Sequence, residues 1–228
     1  AVRRWAIRLI GDRSEMTAHQ FDKIATAIAK EADPEVLSQA VSSAARFPAK
    51  DALRLLTILT QHDAAQNHPD FERVLWWAIE PFYATHPDAV LEVLLDLAAA
   101  RPRSPLPALA EFAIRRMASA GEPDDLLRCA ELLSAVNHPA WERPLVTGFE
   151  AAFKGRSMAG LPSALIAALS QTTRPPISLL LRLDLEDHLE AALAQLQSPA
   201  TDLITKTQIL DVLSETRIEA ARLLLVGL

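Results

Sequence analysis

The sequence predicts an all-α fold, an α-solenoid of stacked antiparallel helical hairpins, and three observations predict it. First, a polar residue, a proline and usually an acid recur between apolar stretches: Asp33-Pro34-Glu35, His68-Pro69-Asp70, His86-Pro87-Asp88, Glu122-Pro123-Asp124, His138-Pro139-Ala140 and Ser198-Pro199-Ala200. Proline fits a first helical turn, where its missing N–H has no intrahelical acceptor. The polar residue before it can cap free donors, and the acid after it faces the positive helix end. Each triplet therefore reads as a helix start. Second, over most of the chain the triplets fall one or two helix-plus-turn lengths apart, which gives a unit of about 35 to 45 residues. Third, hydrophobic residues make up 50% of the 228 positions while aromatics are only 5%, so Ala and Leu carry the apolar fraction and favour helix. No segment sustains period-two alternation.

The elements follow in order. Val2, Trp5, Ala6 and Leu9 fall at helical spacing, with Gly11-Asp12 closing that helix. Phe21, Ile24, Ala25, Ile28 and Ala32 give the next apolar stripe; Val36, Leu37, Ala40, Val41 and Ala44 give the third, stopped by Pro48. Leu53, Leu56, Ile58 and Leu59 form the fourth, before a polar loop from His62 to His68. A fifth helix runs from Pro69 through Trp76, Trp77, Ile79 and Glu80, and Pro81 is expected to kink or end it by removing a backbone bond. Asp88 to Ala100 makes the sixth. The three prolines within 101–107 are the strongest linker signal and mark a sub-boundary in an otherwise single 1–228 solenoid. Leu109 to Ala118 and Asp124 to Val136 form a hairpin split at Gly121-Glu122-Pro123. Trp141 to Phe153, Pro162 to Ser170, Ser178 to Gln197 with a break near Asp184, Asp202 to Ser214 and Arg217 to Val226 complete the helices. Most are too short to hold alone in water, so their stability comes from stacking.

The net charge of −6 and sequence pI near 5.5 argue against general nucleic-acid binding, which draws its affinity from a basic surface. The single cysteine, Cys129, excludes an internal disulfide or a multi-cysteine metal cluster within these residues. No apolar run is long enough for a membrane span. The opening Ala1-Val2-Arg3-Arg4-Trp5 lacks the order of a signal peptide, and neither end has the polar face of a terminal repeat, so the chain reads as a piece of a longer protein.

Asp33-Pro34-Glu35-Val36-Leu37-Ser38-Gln39-Ala40-Val41 resembles the start of the first helix of a HEAT repeat, with Leu37 in place of the usual basic residue. Val2 to Asp12 is similar to a HEAT-repeat interior. Taken with Val74-Leu75-Trp76-Trp77-Ala78-Ile79-Glu80, these stretches resemble the helical-repeat region of large multidomain bacterial proteins of the planctomycete and verrucomicrobial group, the PVC-type haem-binding proteins or membrane-bound dehydrogenases. In that family Asp-Pro and a second proline precede the paired tryptophans; here Asn67-His68-Pro69 is offset and Glu72 stands at the second proline. The resemblance covers Ala1 to Glu80. It implies a spacer between a dehydrogenase-type propeller and a cytochrome c domain in an extracytoplasmic electron-transfer protein, with haem c held elsewhere in the parent chain and no cofactor here.

Trp76 and Trp77 are adjacent on a helix, so their side chains diverge by about 100° and cannot share a core stripe. One belongs to the core, and the other lies between repeats or at a partner surface, where exposed Trp serves as an anchor. This pair is the candidate interaction site. Trp5 and Trp141 are expected between neighbouring helices, and Arg3, Arg4, Arg8, Arg115 and Arg116 on solvated faces or in inter-repeat salt bridges. His62, Asp63 and His68 form the one conceivable metal locus, against which stands the lack of any His pair at zinc-binding helical spacing. Cys129 reads as a buried small hydrophobe. Gly155 to Gly160 is followed by Leu161-Pro162 rather than Lys and Ser or Thr, so it is no phosphate loop. Glu186, Asp187 and Glu190 read as a charged helix face. The expected function is thus a non-catalytic scaffold that contacts other domains of its parent chain or a protein partner. An independent adaptor and, behind it, a metal-dependent enzyme are the alternatives.

Overall fold

The computed structural model describes residues 1–13, 16–62, 70–101, 106–136, 138–158, 160–173, 175–183 and 185–215. Among them lie thirteen α-helices and no strand. They are α1 (Val2–Arg13), α2 (Ala18–Ile28), α3 (Pro34–Ala44), α4 (Ala49–Thr60), α5 (Phe71–Tyr83), α6 (Pro87–Ala100), α7 (Pro107–Ala120), α8 (Pro123–Ala135), α9 (Pro139–Phe153), α10 (Ser163–Ser170), α11 (Ile177–Leu183), α12 (Leu185–Gln197) and α13 (Leu203–Glu215).

Helices two apart in sequence stack on one another. α1, α3, α5, α7 and α9 form one rank; α2, α4, α6, α8 and α10 form the other; α3 with α4, α5 with α6 and α7 with α8 pack across the ranks as hairpins. The core between the ranks runs continuously from Phe21 to Leu179, on both sides of residues 101–107. A second, smaller core gathers Leu181, Ala192, Ile209, Val212 and Leu213 from α11, α12 and α13. α11 serves both, contributing Leu179 to the first core and Leu181 to the second.

Proline placement accounts for five of the thirteen described helix starts. Pro34, Pro87, Pro107, Pro123 and Pro139 each occupy the first turn of their helix. The polar residue before them is less uniform than its recurrence suggests. Asp33 accepts from the Glu35 N–H at 3.0 Å, and His138 Nδ1 accepts from the Ala140 N–H at 3.2 Å. His86 and Glu122 make no side-chain cap bond. Ser198-Pro199-Ala200 is a turn rather than a helix start; α13 begins after Asp202, which accepts from the Thr205 N–H at 2.9 Å. An acceptor three residues before a free N–H caps better than a proline alone, and here Asp202 supplies it. His68 and Pro69 lie outside the described residues, as does Arg217 to Val226.

Further readings change on packing grounds. α1 continues through Gly11 to Arg13, and Gly11 is buried where α1 crosses α3: a Cβ there would sit 2.7 Å from Ser43 Cβ. Gly11 is thus a close-approach residue rather than a helix end. Ser43 Oγ donates to the Ile7 carbonyl and Arg46 Nε to the Gly11 carbonyl, which fixes the crossing. α2 stops at Ile28, leaving Ala32 exposed beyond it. α5 runs past Pro81 to Tyr83. The bond that Pro81 cannot make would have reached the Trp77 carbonyl, on a helix face where both side chains are exposed and water can take that acceptor. The hairpin between α7 and α8 turns through Gly121 at φ 72°, a left-handed position that glycine adopts without strain.

Candidate interaction surface

α5 buries Phe71, Leu75, Trp76, Ala78, Ile79 and Tyr83 between α3 and α7. The 100° step between adjacent residues then decides the tryptophans: Trp76 is 5% exposed and Trp77 is 60% exposed. Arg73 and Pro81, one turn on either side of Trp77, share its solvent face. Arg73 Nη1 lies 3.5 Å from Asp70 Oδ1, one turn back along the same helix. Trp141 is buried, and its Nε1 donates to the Arg101 carbonyl at 2.9 Å. Trp5 departs from expectation: it is 54% exposed, with the Arg8 guanidinium 5.2 Å from its ring centre. α3 covers one side of α1 only, and Val2, Trp5 and Leu9 lie on the side away from the core.

The flanks of this surface are held by polar ties between successive helices of a rank. Glu72 accepts from the N–H groups of Ala108 and Leu109, capping α7 from the neighbouring helix. Burial raises its carboxyl above the ordinary value against those two bonds. Glu80 lies 3.8 Å from Arg116, whose guanidinium covers the Tyr83 ring at 5.4 Å. Tyr83 donates its hydroxyl to Asp125, Arg128 Nη1 donates to the same carboxylate at 3.0 Å, and Arg128 Nε reaches Asp88 at 2.8 Å. Burial, then the Asp125 hydrogen bond, pushes the Tyr83 hydroxyl well up. The cluster ties α5, α6, α7 and α8 together through these contacts. Arg3 and Arg4 play the same part for α1, at 2.8 Å from Glu31 and 3.2 Å from Glu35.

The chain also repeats a segment that helix-start counting misses. Asn67-His68-Pro69-Asp70-Phe71-Glu72-Arg73 recurs as Asn137-His138-Pro139-Ala140-Trp141-Glu142-Arg143, and comparing the chain with itself would have found it. The described residues of the two copies behave alike. Phe71 and Trp141 are buried, and Glu142, like Glu72, accepts a backbone N–H from a later part of the chain, that of Thr173 in the turn after α10, at 2.9 Å. Further along, Glu80 meets Arg116 while Glu150 accepts from Ser178 Oγ at 2.7 Å. Beside α9 opens a cleft of about 910 Å³, lined among others by Arg143, Val146, Thr147, Glu150, Pro176 and Ile204.

The other candidates resolve as follows. Among the described residues no group of three or more His, Cys, Asp or Glu could hold a metal ion. His62 is half-buried, while Asp63 and His68 lie outside the described residues. Cys129 is fully buried, and burial pushes its thiol up to about 12, so it offers no thiolate at neutral pH. Arg115 is exposed, as are Asp187 and Glu190 on α12, whereas nothing describes the Glu186 side chain. Among the described residues no helix is long and apolar enough to cross a membrane. No family model, curated protein or solved structure matches the chain.

Proposed function

We propose that this chain is a non-catalytic helical-repeat scaffold that presents the outer face of α5, α7 and α9 to another domain of its parent protein or to a protein partner. The supporting observation is Trp77: a large apolar side chain 60% exposed on a helix whose adjacent Trp76 is buried. An exposed tryptophan on a rigid element is the kind of residue that anchors an interface. In the family that its first eighty residues resemble, this role is that of a spacer between a dehydrogenase-type propeller and a cytochrome c domain, outside the cytoplasm. A Cys-x-x-Cys-His site elsewhere in the full reading frame supports that setting, and its absence removes the setting while leaving the scaffold.

The test places a photo-activated cross-linking amino acid at position 77 of the full-length protein. The expected product joins position 77 to one defined peptide of another domain or protein, identified by mass spectrometry. A cross-linker at Glu92, on the exposed side of α6, gives no such product. Equal, scattered products from both positions would remove Trp77 from any interface. Trp77→Ala should weaken the same docking with helix content unchanged. A stoichiometric transition metal in the purified protein, lost on substitution of His62 or His68, would replace the scaffold by a metal-dependent enzyme.

A further inference from the structure

The repeat spacing carries a second tryptophan to the surface that holds Trp77. Val2-Arg3-Arg4-Trp5-Ala6-Ile7 recurs 72 residues later as Val74-Leu75-Trp76-Trp77-Ala78-Ile79, keeping the valine, the last tryptophan, the alanine and the isoleucine. Both of these tryptophans are open to solvent, Trp5 at 54% and Trp77 at 60%. They stand on α1 and α5, with α3 packed between the two helices. Trp5 lines a small hollow with Arg4, Arg8 and Gln39 of α3. Gln39 lies away from the buried stripe of its helix, so the Trp5 ring sits on the outer side of the rank, at the edge of α1 that adjoins α3.

What lies between the two rings is low and polar. α3 buries Leu37, Ala40, Val41 and Ala44 and leaves Ser38, Gln39 and Ser42 toward solvent. Axes of packed helices stand about 8–10 Å apart, so those of α1 and α5 are roughly 16 to 20 Å apart. Two serines thus floor a trough with an indole on either side. A helix with its side chains is about 10 to 12 Å across, so one laid along α3 reaches both rings. The acids at the edges of this trough are each held by a cation: Glu35 by Arg4 at 3.2 Å, Asp12 by Arg46 at 3.4 Å and Asp70 by Arg73 at 3.5 Å. Arg8 differs from these arginines. Its guanidinium stands 5.2 Å from the Trp5 ring centre, and among the described residues it has no carboxylate within ion-pair distance. The trough therefore carries one cation in excess, beside one of its two tryptophans.

We infer that Trp5 and Trp77 anchor one partner helix, laid along the outer face of α3 and carrying an acidic side chain against Arg8. The inference rests on the scaffold reading and adds to it the second anchor, the shape of the occupant and the sign of its charge. Apolar side chains on the two flanks of that helix meet the indoles, which bring large contact areas on rigid elements. Its carboxylate meets the planar fork of donors on Arg8.

Photo-activated cross-linking amino acids at position 5 and, separately, at position 77 of the full-length protein test it, with the products mapped by mass spectrometry. Both positions should link to the same helix of the partner or neighbouring domain, at residues within about two turns of each other, because the rings face one another across α3. Trp5→Ala should lower the yield from position 77. Arg8→Glu should lower the yield from both positions by about tenfold, the scale of a charge-assisted bond, with helix content unchanged by circular dichroism. Raising salt should act in the same direction. Lys50→Glu makes the same change of charge on the exposed side of α4, in the other rank, and should leave both yields as they are. A link from position 5 to a different peptide, or to a segment adjoining residue 1 in the parent chain, overturns the proposal, as does a position-77 yield indifferent to Trp5→Ala. Yields indifferent to both Arg8→Glu and salt overturn the acidic assignment. If position 77 links to one defined peptide while position 5 links to nothing, the second anchor falls and the scaffold reading stands; failure at both positions removes that reading as well.

Discussion

Half-buried glutamates carry much of the contact between neighbouring helices of a rank, and their ionisation has a sign that can be measured. Glu150 sits between α9 and α11, accepting from Ser178 Oγ at 2.7 Å, and burial raises its carboxyl above the ordinary value despite that bond and the nearby Arg182 charge. A carboxyl raised in the folded state holds its proton more tightly there than in the unfolded chain. Its contribution is therefore greatest below the unfolded value of about 4.3 and falls as pH rises through the higher folded value. Glu72 has the same sign for the same first cause, whereas Glu31, held by backbone and Arg3 hydrogen bonds, has the opposite one. Glu150→Gln keeps an acceptor for Ser178 and removes the charge. Urea denaturation from pH 4 to 8 should show the variant gaining stability relative to the parent as pH rises. A difference that is flat with pH, or that runs the other way, would mean Glu150 ionises freely in the fold.

At the scale of the helix, proline position and capping separate. Pro34 and Pro87 both open their helices, yet only Asp33 accepts an end N–H; the His86 ring Nδ1 instead lies 2.8 Å from Thr85 Oγ1. Asp33→Ala should cost about 0.5–2 kcal/mol by thermal or urea denaturation, and His86→Ala should stay within about 0.5 kcal/mol. Equal losses would show that the residue before proline acts through backbone conformation alone. The contrast also shows what was legible in the sequence. Proline's fixed φ and missing N–H act locally, so helix starts at 34, 87, 123 and 139 could be read from the residues themselves. Whether a polar side chain turns back to cap depends on rotamer and neighbours, which no spacing carries. Gly11 was misread for the same reason: a glycine that ends a helix and one that lets Ser43 approach look alike until α3 is in place. The tryptophan pair was half legible, since the 100° step requires one to face outward, but only α3 and α7 determine that it is Trp77.

At the scale of the whole molecule, several hydrogen bonds between packed helices from α1 to α9 span similar separations in sequence. Ser43 reaches back 36 residues to Ile7, Ala108 36 to Glu72, Arg128 40 to Asp88 and Trp141 40 to Arg101. These separations lie near the 35-to-45-residue spacing read from the prolines; the first three join a helix to the one before it in its rank, and the fourth joins α9 to the residue that follows α6. Stability in such an array is close to a sum of units and their interfaces, so it need not be uniform along the chain. The two apolar clusters divide it unequally. The larger takes residues from α2 through α11, while α11, α12 and α13 close around five fully buried side chains of their own, linked to the larger through Leu179, the Ser178 bond to Glu150 and Arg182's bond to the Phe153 carbonyl. Ile209→Ala opens a cavity in the small cluster and Leu56→Ala one in the large, each worth about 2–5 kcal/mol where it falls. Followed by amide hydrogen exchange, Ile209→Ala should speed exchange in α12 and α13 and leave α4 and α6 at their parental rates. Leu56→Ala should speed exchange first in α3, α4 and α6, the helices around its cavity. Uniform acceleration everywhere by both variants would mean one cooperative unit spanning both clusters, and α11 would then be a continuous part of the stack rather than the joint between two.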